Sequence, residues 1–139
     1  MELNIGAIVL ATVAMFAVGF VWYGPLFGKL WGQIHGFDKL SKEVQQKMMK
    51  EMGPYYAVQM AVTVATAFVF SLFITMLPQD WNPYGMAGFF WLGFSGPAIV
   101  GSVIFSNTEK KWMAKKAAVQ LGGNLATLLA AAAVLSMMR

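Results

Sequence analysis

The sequence predicts an all-α integral membrane protein, a four-helix bundle with a short amphipathic interfacial helix between the first two spans. One observation is composition: 58% of the 139 residues are hydrophobic and 12% are charged, whereas soluble domains carry about 25% charged residues. The other is that the charges are clustered and leave four uncharged windows, each long enough for the roughly 20 residues that a helix needs to cross a bilayer. These windows are residues 3–28, 52–79, 81–108 and 117–138.

Each window predicts one transmembrane helix in a single domain that covers residues 1–139. The expected spans are residues 5–23, 55–77, 84–105 and 117–137. Helices are expected because backbone polar groups in lipid must find partners within the segment, and the windows lack the alternation of a membrane β-barrel. The acidic start at Glu2 differs from the basic start of a signal peptide, so the first window is expected to remain in the mature chain.

The basic residues predict the orientation. Of the ten lysines and arginines, nine fall in the first and third connections, and short basic loops stay in the cytoplasm. We therefore expect both termini outside the membrane and both Lys-rich loops in the cytoplasm. The first connection contains Lys29, Lys39, Lys42, Lys47 and Lys50, and the third contains Lys110, Lys111, Lys115 and Lys116. The second cluster is expected to contact anionic lipid of the inner leaflet, and Trp112 beside it to anchor the interface.

An amphipathic helix is predicted over residues 41–52. Apolar side chains recur every four residues from Leu40 through Val44, Met48 and Met52, which is the spacing of one helix face. Ser41 is a suitable N-cap, and Gly53 followed by proline is expected to end the helix. The helix is expected to lie flat on the inner membrane surface; a partner-binding helix is the alternative.

The end of the first span carries a W-Y-G-P motif, which predicts a helix stop at the membrane interface. Trp22 and Tyr23 would lie at headgroup level, and Pro25 disfavours helical angles at Gly24. These four residues are therefore predicted to be interface anchors. Contact of Trp22 or Tyr23 with a ligand is the alternative.

The extended motif Trp22-Tyr-Gly-Pro-Leu-Phe-Gly-Lys-x-Trp31, the run Phe90-Trp-Leu-Gly-Phe94 and the basic loop with Trp112 resemble the bacterial family called domain of unknown function 1761. The resemblance covers most of the chain. It implies a small four-span membrane protein and brings no established activity, so no functional residue is taken from it. The sequence departs from the family pattern at Pro54 and at Gly122-Gly123.

Uncharged polar side chains are arranged along two of the predicted spans. Gln59, Thr63 and Thr66 lie on one face of the second span, and Gln120, Asn124 and Thr127 lie on one face of the fourth. The two sets are expected at similar depths. In the third span, Pro97 is expected to kink the helix at the same depth, as in transporters that bind ligands beside broken helices. The predicted cavity is lined by Gln59, Thr63, Ser95, Pro97, Gln120 and Asn124.

Packing is the alternative explanation of the same residues, because uncharged polar side chains also form hydrogen bonds between membrane helices. Under this interpretation the glycines of the third span make it the helix on which the others pack. These glycines are Gly85, Gly88, Gly93, Gly96 and Gly101. The segments 19–24 and 88–93 also share the pattern G-F-x-W-x-G, but their predicted depths differ, which favours coincidence over an internal repeat.

The predicted function follows from what the spans lack. No ionisable residue falls within them, so proton pumping and acid–base catalysis are not expected. With a single histidine and no cysteine, we expect no metal, no cofactor and no catalytic residue. Basic loops explain the pI near 9.5 without a nucleic-acid partner.

Three functions remain from the sequence. The leading prediction is a membrane protein that binds or passes a neutral or apolar small molecule within the bundle. The alternative is an accessory or oligomer-forming subunit of a larger membrane complex, docking through the third span and residues 130–133. An enzyme is the weakest of the three.

Overall fold

The protein is described here by a computed structural model that covers residues 2–138. Within that range the chain is helical and contains no strand, so the all-α prediction is confirmed. The α-helices are α1 (Ile5–Val21), α2 (Gly28–Ile34), α3 (Lys42–Lys50), α4 (Gly53–Met76), α5 (Pro83–Phe90), α6 (Gly96–Phe105) and α7 (Lys110–Met137). A 3-10 turn, Phe37–Lys39, lies between α2 and α3.

Four segments are long and apolar enough to cross a membrane: Ile5–Leu26, Gly53–Met76, Pro83–Phe105 and Lys110–Met137. They match the four predicted spans in number and position. The largest difference is in the fourth, whose helix begins at Lys110 rather than at residue 117. The helical backbone there continues past the apolar window and carries the lysine cluster of the third connection.

The amphipathic helix begins where the sequence predicts. The hydroxyl of Ser41 accepts a hydrogen bond from the backbone N–H of Val44 at 3.3 Å, which confirms the predicted N-cap of α3. Pro54 lies in the first turn of α4, where a missing N–H costs nothing because the first amides of a helix have no intrahelical partner. The departure from the family pattern at Pro54 is therefore compatible with a helix start.

The predicted helix stop at Gly24-Pro25 is wrong. Residues Trp22–Leu26 form a π-helical turn that contains Pro25, here called the first π turn. The carbonyl oxygen of Trp22 accepts a hydrogen bond from the N–H of Phe27 at 2.9 Å. This wider turn needs no N–H from the proline and gives its ring more room than an α-helical turn does. The break comes at Phe27 (φ −122°, ψ 8°), after which α2 begins.

A second π turn, Trp91–Ser95, separates α5 from α6. Here the carbonyl of Trp91 accepts from the N–H of Gly96, which is the same residue spacing as in the first π turn. Pro97 follows in the first turn of α6. The sequence predicts a kink at Pro97, and the structure contains the helix irregularity directly before that residue.

The central helix is α7, which packs against α1, α4, α5 and α6. The prediction that the third span would be this packing helix is wrong. Three of its glycines, Gly88, Gly93 and Gly101, have no atom within 4 Å of the position of an added Cβ. Alanines provide the close contacts instead, because a methyl group also lets two helices approach. The alanines with no exposed surface are Ala11, Ala67, Ala87, Ala131 and Ala132.

The tightly packed core lies at one end of the bundle, where α1 and α5 begin and where α4 and α7 end. In this core, apolar side chains of α1 between Ala7 and Met15 pack with Phe70 and Ile74 of α4 and with the last turns of α7. Ala131 and Ala132 belong to this core, so residues 130–133 do not form the exposed docking face that the sequence suggests. The opposite, Lys-rich end of the bundle is packed less closely.

Candidate functional site

Two tryptophans attach the π turns to the central helix. The indole Nε1–H of Trp22 donates to the carbonyl oxygen of Val119 at 2.9 Å, and that of Trp91 donates to the carbonyl of Leu121 at 2.9 Å. These carbonyls are two residues apart, or about 3 Å along the axis of α7. The two indoles therefore lie at the same level. The prediction that the two G-F-x-W-x-G segments lie at different depths is therefore wrong. In each segment the tryptophan begins a π turn, and its indole donates a hydrogen bond to a carbonyl of α7.

The Gly122-Gly123 pair of α7 provides the space for the Trp22 indole. A Cβ added at Gly122 would lie 2.7 Å from Cζ2 of Trp22, and one at Gly123 would lie 2.9 Å from its Nε1. The departure from the family pattern in the fourth span is thus a contact surface for an aromatic ring. Sequence reasoning placed Trp22 among the interface anchors, whereas the structure turns its indole into the bundle.

A second repeat, which sequence reasoning missed, relates α4 to α7. Residues 57–66 read A-V-Q-M-A-V-T-V-A-T and residues 118–127 read A-V-Q-L-G-G-N-L-A-T. The shared pattern A-V-Q-x5-A-T contains the two polar rows. Together with the two G-F-x-W-x-G segments, it indicates that the chain contains two related helical hairpins. The pattern is visible in the sequence once the equivalence of the two tryptophans is known.

The two polar rows face a central cavity of about 840 Å³. Residues of α1, α4, α6 and α7 line the cavity, together with Trp31 of α2 and Met49 of α3. Its volume is within the usual range of small-molecule sites, about 300–1,000 Å³. Its polar wall is formed by Gln59, Thr63, Thr66, Ser102, Gln120, Asn124 and Thr127.

Four of the six residues predicted to line a cavity are brought together on its walls: Gln59, Thr63, Gln120 and Asn124. Ser95 and Pro97 lie outside it, and α6 contributes Ile99 and Ser102 instead. The second π turn explains this difference. A π turn holds an extra residue, which rotates every later residue by about 100° relative to a regular α-helix.

The two polar rows differ in their hydrogen bonds. In α4, the hydroxyl of Thr63 donates to the carbonyl of Gln59 at 2.7 Å, and the Gln59 amide donates to that hydroxyl at 3.4 Å. In α7, the side-chain oxygens of Gln120 and Asn124 are buried and have no partner among residues 2–138. The hydroxyl oxygen of Ser95 is also unpaired, but it lies outside the cavity.

The comparison with known families gives one match. Residues 6–136 match the family described as "Protein of unknown function (DUF1761)", which is nearly the whole chain. The chain belongs to this family. No curated protein and no solved structure matches the chain. The family description assigns no activity, so the chemistry of this DUF1761 member must be inferred from its own geometry.

Aromatic and sulfur-containing side chains line the rest of the cavity of this DUF1761 chain, and sequence reasoning missed most of them. Tyr23 and Trp31 meet edge to face with ring centroids 5.0 Å apart, and Phe20 packs on Tyr56 at 6.1 Å. Tyr23 was considered as a ligand contact from the sequence. The other rings come from elements whose direction depends on the first π turn and could not be placed without it. The methionines here are Met15, Met49 and Met52.

The lysine cluster lies beside a second, polar pocket of about 590 Å³. Residues 33–39 of the first connection and residues 106–116 of the third line this pocket together, so both Lys-rich connections are at one end of the bundle. The ammonium groups of Lys111 and Lys115 lie 5.7 Å and 5.4 Å from the ring centroid of Trp112. Lys110 is exposed, and Lys116 donates to the hydroxyl of Thr108 at 3.3 Å.

Proposed function

We propose that this protein is a multi-pass membrane protein that binds a small uncharged molecule in the central cavity and catalyses no reaction on it. The observation that carries the proposal is that Gln120 and Asn124 line the cavity while their side-chain oxygens are buried behind its surface without a hydrogen-bond partner among the described residues. More than nine in ten buried polar groups in proteins have a hydrogen-bond partner. A rotation of either amide would turn its oxygen toward the cavity, where a bound molecule would supply the partner that the chain itself does not.

The free-energy cost of burying two amide oxygens without hydrogen-bond partners supports a binding role for these residues rather than a packing role. A buried polar group without a partner destabilises a protein by about 1–3 kcal/mol. Polar residues that serve only to join helices would reach a side chain or a carbonyl of the neighbouring helix. Neither amide does so. The helices around the cavity also leave about 840 Å³ unfilled, whereas residues that serve only for packing would fill this space.

A cavity-filling substitution tests the proposal. Val62 lines the cavity and is 50% exposed, so the larger ring in Val62→Trp would obstruct the cavity with little effect on the core. Val64, on another face of α4, is 44% exposed and lies outside the cavity, so Val64→Trp is the matched control. Each variant is purified from native membranes in a mild detergent, and the small molecules that co-purify are identified by mass spectrometry.

We expect a compound that co-purifies with the wild type and with Val64→Trp and is lost from Val62→Trp. Thermal unfolding in the same detergent checks that both variants are folded. An equal amount of the same compounds in all three preparations would contradict the proposal.

The orientation proposed for this protein has the Lys-rich end in the cytoplasm of a bacterial cell and both termini outside the inner membrane. It is supported by the position of both basic connections at one end of the bundle. The chain has no cysteine, so a single introduced cysteine is the only thiol that a maleimide can label. A membrane-impermeant maleimide added to intact spheroplasts should label Asn82→Cys and spare Lys47→Cys. The reverse labelling pattern would overturn the orientation.

A second candidate function is that of an oligomer-forming or accessory subunit. It is favoured by α4, where every residue in 51–62 is exposed, so that this part of the helix buries little surface within the described chain. Native mass spectrometry in a mild detergent tests this candidate. A complex with further subunits would support it, and a single chain that retains its small molecule would exclude it.

A further inference from the structure

The two ends of the central cavity differ in chemistry. Tyr56 lies toward the start of α4, and Gln59 and Thr63 follow along the same helix. Tyr56 and the methionines Met49 and Met52 therefore surround the end nearest α3, with Phe20 packed on Tyr56. The polar rows surround the deeper part. A ligand that fills the cavity must place its apolar body near α3 and its polar group deeper in the bundle.

The wall near α3 is suited to a flat ring. The Tyr23–Trp31 pair and the Phe20–Tyr56 pair present aromatic faces and edges, which bind rings in offset or edge-to-face geometry. Methionine side chains adapt their shape to such rings and make favourable sulfur–aromatic contacts. A saturated hydrocarbon chain would gain less from these walls, because it has no ring quadrupole.

The deep end of the cavity is suited to an uncharged oxygen. Among the described residues that line the cavity, none is charged, so an ionised group would be buried without a counter-ion, at high cost. The amides of Gln120 and Asn124 offer both donors and acceptors. The hydroxyl of Tyr23 lies 3.3 Å from the position of a Cβ at Gly123, the residue before Asn124. A hydroxyl or carbonyl group on the ligand would satisfy them.

The cavity opens between α4 and α6. Val62 and Thr66 of α4 and Ser102 of α6 line it and are exposed. Because both helices belong to segments that are long and apolar enough to cross a membrane, this opening would face lipid. A ligand would therefore reach the cavity from the bilayer, and it must be soluble in hydrocarbon.

We infer that the ligand is a membrane-soluble, uncharged planar ring compound with a hydroxyl or carbonyl oxygen on one edge. This inference rests on the proposed function and specifies the class of molecule. The ring lies between the aromatic pairs near α3, and its oxygen bonds the amides of Gln120 and Asn124. The ligand enters from the lipid phase through the gap between α4 and α6.

Four matched probes test the inference. They are 2-naphthol, naphthalene without the oxygen, 2-naphthoate with a charge, and dodecan-1-ol with a chain in place of the ring. The readout is the concentration-dependent rise in unfolding temperature of the purified protein in detergent, which reports the apparent Kd. The proteins are the wild type, Asn124→Leu, Val62→Trp and Val64→Trp.

We expect 2-naphthol to bind the wild type and Val64→Trp, with naphthalene about three- to tenfold weaker because one hydrogen bond is lost. Asn124→Leu should weaken 2-naphthol toward the affinity of naphthalene, with Gln120 left as the remaining partner, and Val62→Trp should abolish the binding of both. The inference is overturned if naphthalene, 2-naphthoate or dodecan-1-ol binds as tightly as 2-naphthol, or if 2-naphthol does not bind. Such a result leaves the proposed function standing whenever Val62→Trp still loses a co-purifying compound.

Discussion

The indole of Trp22 lies against Gly122, so closely that a Cβ on this glycine would be 2.7 Å from Cζ2 of the ring. The same indole donates a hydrogen bond to Val119, one turn earlier on α7. A glycine pair and a backbone carbonyl of α7 thus hold the tryptophan of the first π turn at a fixed depth. This contact sets how α1 and α7 approach at the edge of the central cavity.

Gly122→Ala is expected to destabilise the protein by about 1–3 kcal/mol, because overpacking against a rigid ring forces the helices apart. Denaturant unfolding in detergent micelles measures the change. The control is Gly101→Ala in α6, where no atom lies within 4 Å of the added Cβ. It should be neutral or stabilise by up to about 1 kcal/mol, since alanine favours a helix. Equal effects of the two substitutions would refute the contact.

Trp22→Phe and Trp91→Phe are each expected to lower the free energy of unfolding by about 1–2 kcal/mol, from a lost hydrogen bond and a smaller ring. The two indoles bond different carbonyls of α7, so we expect similar losses from both. Trp112→Phe, whose ring contacts lysine side chains, should cost less than either. A lower free energy of unfolding in only one of the variants Trp22→Phe and Trp91→Phe would argue against equivalent π turns.

Gly96→Ala should destabilise the second π turn by about 1–3 kcal/mol. Its Cβ would lie 2.6 Å from the carbonyl oxygen of Trp91, which is backbone and has little freedom to move. Gly28, the second residue after the first π turn, has the carbonyl oxygen of Tyr23 at 2.9 Å from its added Cβ and should respond in the same direction. Gly93→Ala, with open space at its Cβ, is the control. Equal unfolding temperatures for Gly96→Ala and Gly93→Ala would contradict this prediction.

Asn124→Leu is expected to stabilise the ligand-free protein by about 1 kcal/mol or more. It removes a buried amide oxygen without a partner and keeps the number and branching of the side-chain heavy atoms, with apolar groups in place of polar ones. Thr127→Val is the comparison, because that hydroxyl already donates to a carbonyl at 2.8 Å, so its removal should bring no gain. Unfolding is measured after exhaustive delipidation. A less stable Asn124→Leu protein would mean that the amide already has a partner.

The lysine cluster is expected to bind anionic lipid, with about 1 kcal/mol from each lysine near the surface. Lys115→Gln together with Lys116→Gln should reduce the number of phosphatidylglycerol molecules retained in native mass spectra and leave phosphatidylcholine unchanged. The matched control is Lys42→Gln with Lys47→Gln in α3. Unchanged phosphatidylglycerol retention in the Lys115/Lys116 variant would rule out the assigned contacts.

Much of the architecture is determined by the sequence alone. Uncharged windows bounded by Glu51, Asp80 and Glu109 locate the long apolar helices, because the cost of burying charge acts on each residue separately. The N-cap at Ser41 is predictable for a similar reason, since its hydrogen bond closes within four residues. Even the two polar rows can be paired by counting helical residues from the ends of the windows.

The tertiary structure alone decided what these elements build together. Counting along a regular helix assigned Pro97 to the cavity, but the π turn at Trp91–Ser95 rotates the following residues and places Ser102 there instead. The π turn also let Pro25 stay within a helix where local rules predict a stop. The equivalence of Trp22 and Trp91 became visible only through their bonds to α7. Each outcome depends on contacts between residues distant in sequence, whereas the helix-forming signals are local.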